Sequence, residues 1–175
     1  QNDLDRILLL LLATGARLGE IVGLRLEDLR EDTVEGITSV NITGHEKRRV
    51  KNKGSEREVP VVLFGLTALK AQVDEAQASN SDYLFPRYNK TEKTNTNSAS
   101  AAVNKRMKAL GFEEFSAHHL RHTVKRLMRD AGVPQDLRDA VQGHGGQSVA
   151  ETYGRGVALG RLERALMGAL ENLVI

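Results

Sequence analysis

Apolar residues recur along this chain with a helical period in most segments and cluster as β-branched side chains in one. Residues 3–13 (DLDRILLLLLA) read as a helix whose leading acidic residues suit its positive N-terminal end. Thr14 and Gly15 interrupt it, and Leu18, Ile21, Val22 and Arg25 mark a second helical stripe running towards Asp28. Residues 37–42 are rich in β-branched side chains, and 48–51 and 57–62 are short extended candidates joined by a turn at 52–55 that contains Gly54. These segments predict a small antiparallel sheet of three strands. Residues 66–78 return to a helical pattern, with Leu66, Leu69, Val73 and Ala76 on one side. The stretch 79–97 is polar and carries Pro86, so it reads as a loop or a mobile connection. Helical patterns follow at 99–110, 117–131, 134–142 and 159–173. Ser116 is placed to cap the second of these, Gly132 to end it and Pro134 to open the next. The sequence shows no internal repeat and no heptad run. The expected fold class is α+β, mainly α: a helical domain with a small three-stranded antiparallel sheet, spanning 1–175.

Composition narrows the function. With 175 residues, 40% of them apolar and 27% charged, the chain has room for one soluble globular domain. The absence of cysteine excludes disulfides, a thiol nucleophile, thiolate zinc and iron–sulfur ligation. The longest apolar run, 7–13, is far shorter than the roughly 20 residues a membrane span needs. It also lacks the basic start of a secretory signal. The chain opens on Gln1, which suggests a domain excised from a longer protein. Net charge is only +2, yet Lys47, Arg48, Arg49, Lys51, Lys53 and Arg57 crowd one stretch and Arg121, Lys125, Arg126 and Arg129 another. Such clusters fit either solvated faces or a polyanion contact.

Four of the five histidines, His118, His119, His122 and His144, lie close together in the sequence. His118 and His122 have the spacing of a two-histidine metal face, but the glutamate of a zinc hydrolase is missing and Arg121 opposes a dication. No G-x-S-x-G elbow supports a serine hydrolase, and Arg121-His122-Thr123 lacks the glycine of a histidine phosphatase. What remains is Arg17 after a helix break, Arg121 three residues past His118 on one helical face, a lysine-rich turn, His144 and Tyr153. Paired guanidiniums and imidazoles suit a phosphodiester: flat donor forks match phosphate oxygens, and their charge offsets the trigonal-bipyramidal transition state. A lysine can protonate a leaving oxygen, and a tyrosine can attack phosphorus without a metal.

This joint pattern resembles the catalytic domain of the tyrosine recombinases, also called the phage integrase family. The resemblance is carried by TGARLGEIVGLRLEDL (14–29), KNKGSEREVP (51–60), HHLRHT (118–123) and QGHGGQSVAETY (142–153), in the family's order and at its separations. It implies that Arg17 and Arg121 grip the scissile phosphate, that His118 is a general acid/base and that His144 hydrogen-bonds the phosphate. It further implies that Tyr153 attacks phosphorus to leave a 3′-phosphotyrosyl link and a free 5′-hydroxyl. The bond energy is kept in that link, so no cofactor, neither ATP nor a metal, is implied. Glu20 fits the acidic position that orients the site, and His122 a supporting one. Lys47, Arg48, Arg49 and Lys125 are the candidate DNA contacts.

Two departures from the family pattern stand out. The general-acid lysine of the family lies eight positions before the hairpin proline, here Pro60, and that position holds Asn52. Lys51 is the assigned residue and Lys53 the alternative. Gln142 stands where many relatives carry leucine. The resemblance implies duplex DNA as partner, a monomer in free solution, a homotetramer on paired sites, no membrane and a cytoplasmic place of action. The N-terminal core-binding domain of the family is not expected within this chain. The stripe Leu159, Leu162, Leu166 and Leu170 is compatible with packing on its own domain or on a neighbouring protomer. The rival readings are a non-cleaving DNA-binding module of the same fold and a type IB-like topoisomerase.

Overall fold

The computed structural model describes residues 2–33, 35–48, 55–144 and 155–173. Helix α1 (Asp3–Thr14) begins at Asn2, whose side chain accepts from the Asp5 N–H at 3.0 Å, and carries Asp3 and Asp5 in its first turn. It stops at Gly15, whose φ of 62° lies in the left-handed region that costs glycine no steric penalty. Ile7, Leu10 and Leu11 are fully buried, because α1 runs through the centre of the molecule. Around it pack α2 (Leu18–Val22), α3 (Phe64–Ala78), α4 (Thr96–Ala109), α5 (Ala117–Asp130) and α7 (Arg155–Leu170), with α6 (Gln135–Gln142) bridging α5 and α7.

The sheet is three-stranded and antiparallel in the order β1 (Leu29–Glu31), β2 (Thr38–Ile42), β3 (Arg57–Pro60). Val40 pairs with Leu29 on one side and Val59 on the other, which turns Val40, Ile42 and Val59 into the core. The class matches the expectation, but the membership of the sheet differs. The second helical stripe ends at Val22, and Leu29–Glu31 supplies a strand after the short 3-10 turn Leu26–Asp28. A strand was expected at 48–51. Arg48 lies outside any strand, and the rest of that segment is outside the described residues.

The segment 79–97 is not a mobile connection. Leu84, Phe85 and Tyr88 are fully buried, and Tyr88 ends a 3-10 turn, Pro86–Tyr88, started by the proline. Asn89 pins the loop by donating to the Val22 and Phe85 carbonyls at 2.8 and 2.9 Å, while Gln72 donates to the Leu84 carbonyl at 2.6 Å. Polar composition misleads here because those amides satisfy buried carbonyls of the loop and of α2.

The stripe Leu159, Leu162, Leu166 and Leu170 is buried in its own domain, where α7 meets α5, α6 and β3. No helix among the described residues is long and apolar enough to cross a membrane.

Candidate active site

Arg17 sits at the N-cap of α2, directly after the turn that ends α1. Its main-chain N–H donates to Glu20 Oε2 and its Nη1 to Glu20 Oε1, both at 2.7 Å. Glu20 is only 4% exposed and takes a second guanidinium, with Arg57 Nη2 donating to Oε2 at 2.9 Å and Arg57 Nη1 to Oε1 at 3.2 Å. Burial alone would push the Glu20 carboxyl up. The bonds and charge of Arg57, with the donors of Arg17, overcome it and hold the carboxyl at about 2.

Arg57 has further partners. Its Nε donates to the Val141 carbonyl at 2.7 Å and its Nη1 to the Ser55 carbonyl at 2.8 Å. One guanidinium therefore ties the start of β3 to the end of α6 and to the acidic hub of α2. In the sequence Arg57 is one member of a basic cluster; its neighbourhood to a buried glutamate is a tertiary fact.

Arg121, on α5, is 4% exposed. Its Nη1 donates to the Gly15 carbonyl at 2.7 Å, and its Nη2 to the Gln142 carbonyl and to His144 Nε2, the latter at 3.3 Å. Arginine offers donors only, so His144 accepts at Nε2 and carries its proton on Nδ1. Partial desolvation, together with the charges of Arg121, Lys125 and Arg17 and against that of Asp139, pulls the His144 imidazole below its ordinary value. Burial also pulls Arg121 down to about 10, helped by Arg17 and Arg57 and opposed by Glu20, which leaves it cationic at neutral pH.

His118 lies in the first turn of α5, which starts at the N-cap Ser116. Partial desolvation, then the charges of His122, Arg121, His119 and Arg17, lower its pKa. A cleft of about 680 Å³ is lined by Arg17, His118 and Arg121 together with Lys47, Lys93 and Thr94. Strong positive charge in a half-enclosed groove favours a phosphate chain. Among the described residues no three histidine, aspartate or glutamate side chains group as metal ligands would.

The structure thus brings together Arg17, Glu20, His118, Arg121 and His144. His122 touches His118, and Lys125 acts on His144 from one turn beyond Arg121. Lys47 reaches the cleft while its Nζ donates to the Asn89 carbonyl at 3.0 Å and stands 5.1 Å from the centre of the Tyr83 ring. Arg48 corrects the sequence reading. It is 2% exposed, pairs with Asp28 at 3.1 Å and donates to the Thr43 and Gly23 carbonyls, so its guanidinium is consumed inside the fold. Arg49, Lys51, Lys53 and Tyr153 lie outside the described residues.

Gln142 was noted only as a departure. It is 1% exposed, and its Nε2 donates to the Arg121 carbonyl at 3.1 Å. Lys93 and Thr94 went unnoticed because their loop read as a connection.

Residues 3–156 match the sequence profile of the phage integrase family. The chain is 27% identical over 175 residues to the tyrosine recombinase XerA of Pyrococcus furiosus, covering 97% of this chain and 57% of that protein. It is 30% identical over 154 residues to the tyrosine recombinase XerC of Corynebacterium glutamicum, covering 84% of this chain and 44% of that protein. A crystal structure of a XerA recombinase shares the fold, with a TM-score of 0.59 and 22% identity over 99% of this chain and 58% of that one. The chain therefore spans about half the length of the curated relatives it matches.

Proposed function

Since the chain belongs to the phage integrase family, the tyrosine recombinases, we propose that it forms the catalytic domain of a site-specific recombinase that cuts and rejoins duplex DNA. The observation that carries this reading is the convergence of Arg17, His118 and Arg121 on one cationic cleft, with His144 bonded to Arg121 beside it. Glu20 neutralises the inner edges of Arg17 and Arg57, which fixes the Arg17 fork without removing its outward donors. Arg121 is aimed by three protein acceptors and is preorganised for an oxyanion.

In the reaction the two arginines hold the nonbridging oxygens of the scissile phosphate. Tyr153 attacks phosphorus as its proton passes to His118, and the bond to the 5′ oxygen breaks. The leaving oxygen takes a proton from Lys51, or from Lys53 as the alternative. His144 offers Nδ1–H to the phosphate, since its Nε2 is occupied by Arg121. A 5′-hydroxyl from the partner strand then attacks the phosphotyrosyl link and releases the tyrosine. The step is isoenergetic, so the reading needs no ATP.

In this reading Lys47 and Lys125 hold flanking phosphates, as does Arg49 from the same basic run as Lys47. Such contacts release counterions, so affinity should fall steeply with salt. A monomer in free solution and a tetramer on two paired sites complete the reading, in the cytoplasm where the DNA lies.

Covalent trapping on nicked suicide duplexes with candidate attachment sites, run in EDTA, tests it. A protein–DNA adduct that disappears in Tyr153→Phe is the expected result. An adduct that persists in that variant overturns the choice of nucleophile, and one that needs a divalent metal overturns the chemistry.

A further inference from the structure

His118 and His122 stand one turn apart on α5 with their Nε2 atoms 3.0 Å apart and their ring planes at 89°. Both residues are exposed. A hydrogen bond at that distance needs a proton on one Nε2 and a lone pair on the other. Two imidazolium rings have no such lone pair and put like charges in contact. The pair therefore shares one extra proton readily and resists a second, so its protons leave in steps that belong to the pair.

The surroundings decide which ring carries that proton. The charged groups facing His118 among the described residues are Arg121, His119 and His122 from α5 and Arg17 from the start of α2. The cleft that His118 lines also holds Lys47 and Lys93 and the acidic Glu20 and Glu46. The positive end of α5 also falls on His118, in its first turn, and weakens towards His122 one turn on. His118 lines that cationic cleft and His122 does not, while Lys125 and Arg126 stand one turn after His122 on α5.

We propose that His122 is a positioning residue for His118: it fixes the His118 tautomer and takes up the proton that His118 receives during cleavage. The inference rests on the reading of His118 as the acid/base group. As the Tyr153 oxygen bonds to phosphorus, its O–H bond breaks and the proton goes to His118 Nδ1. The bridging proton then passes from His118 Nε2 to His122 Nε2. His118 ends neutral within the cation cluster, and the positive charge ends on His122. Rejoining runs the same transfers backwards.

The test is the rate of covalent attachment against pH on a nicked suicide duplex, for the wild-type chain, His122→Leu and His118→Ala. In the wild type the acid limb belongs to the pair. In His122→Leu it belongs to His118 alone, which loses the shared-proton bond, while the charge by which His122 lowers His118 acts only on the second proton of the pair. The expected result is a plateau rate lowered by about tenfold and an acid limb moved to lower pH by roughly half a unit or more, with DNA affinity unchanged. A rate that falls equally at every pH, or no change, overturns the inference. A His118→Ala protein that attaches as fast as wild type overturns the reading beneath it instead. Imidazole NMR titration gives a readout apart from cleavage. Shared midpoints for both rings in the wild type, and a single lower midpoint for His118 in His122→Leu, support the pair. Unrelated midpoints in the wild type overturn it.

Discussion

Arg121 and Gln142 hold each other twice: Gln142 Nε2 donates to the Arg121 carbonyl at 3.1 Å, and Arg121 Nη2 donates to the Gln142 carbonyl. The exchange locks the middle of α5 to the end of α6, one residue before the turn that presents His144. Both side chains are buried, at 4% and 1% exposure, so water does not replace either bond. Gln142→Leu keeps the volume and removes the first bond. The Arg121 carbonyl retains its place in the α5 ladder and loses only its second partner, so the cost should be about 1 kcal/mol. Urea unfolding should show a lower midpoint with an unchanged slope. A variant as stable as wild type would mean that the amide contributes nothing beyond its shape.

Glu20 makes stability depend on acid. Its carboxyl sits at about 2 in the fold against 4.5 for the unperturbed group. A depressed pKa gives stability that is fully present above the unfolded value and is lost as pH falls through the folded one. The loss should therefore run from about pH 5 down to pH 2 and amount to roughly 3 kcal/mol. Glu20→Gln removes the titrating group, so its unfolding free energy should vary less over that window. It should also be lower at pH 7 by about 3–5 kcal/mol, because Arg57, buried at its other partners, loses its counter-charge. Equal pH slopes for the two proteins would place the acid dependence elsewhere.

Much of this site was legible before any coordinates, and the reason is local. Arg17 follows a helix break, and His118 and Arg121 share one face of a helix, so sequence spacing alone carries their relation. The final leucine stripe was visible too, although which surface it covers needed the packing of α7 on α5 and β3. What escaped is long-range. Arg57 meets Val141, 84 positions away, and Arg48 meets Asp28, 20 positions back. No periodicity encodes such pairs, so a basic run in sequence hid two arginines that turn inward. The segment 79–97 is the loop expected, but its burial escaped for the converse reason, since Asn89 and Gln72 are polar residues spent on burying backbone.

Gly143 joins the histidine turn to the strand that leads from the lysine segment. Its φ is +62°, and a Cβ there would lie 2.9 Å from Arg57 Nη1, 3.1 Å from the Ser55 carbonyl oxygen and 3.2 Å from the Ser55 Cα. Backbone cannot retreat as a side chain does. Gly143→Ala should lose about 1–2 kcal/mol from the left-handed conformation alone. It should also slow covalent attachment, because Arg57 must give up its geometry between Glu20 and Val141. Single-turnover trapping at saturating DNA separates this from weaker binding. A slower rate with unchanged affinity is expected, and weaker affinity with an unchanged rate would contradict it.

Two neighbouring basic residues should respond to substitution in opposite ways. Arg48 is buried against Asp28 and donates to several carbonyls, whereas Lys47 reaches the cleft. Arg48→Ala leaves Asp28, 3% exposed, without its cation, so it should cost about 3–5 kcal/mol of stability. Lys47→Ala should leave unfolding nearly unchanged, weaken DNA binding at low salt and reduce the slope of log affinity against log salt by about one. Urea denaturation and fluorescence-anisotropy titrations at several salt concentrations, made on both variants, check the pair. A stable Arg48→Ala protein with a reduced salt slope would mean that Arg48 turns outward to DNA, and the buried pairing with Asp28 would then be the wrong account of it.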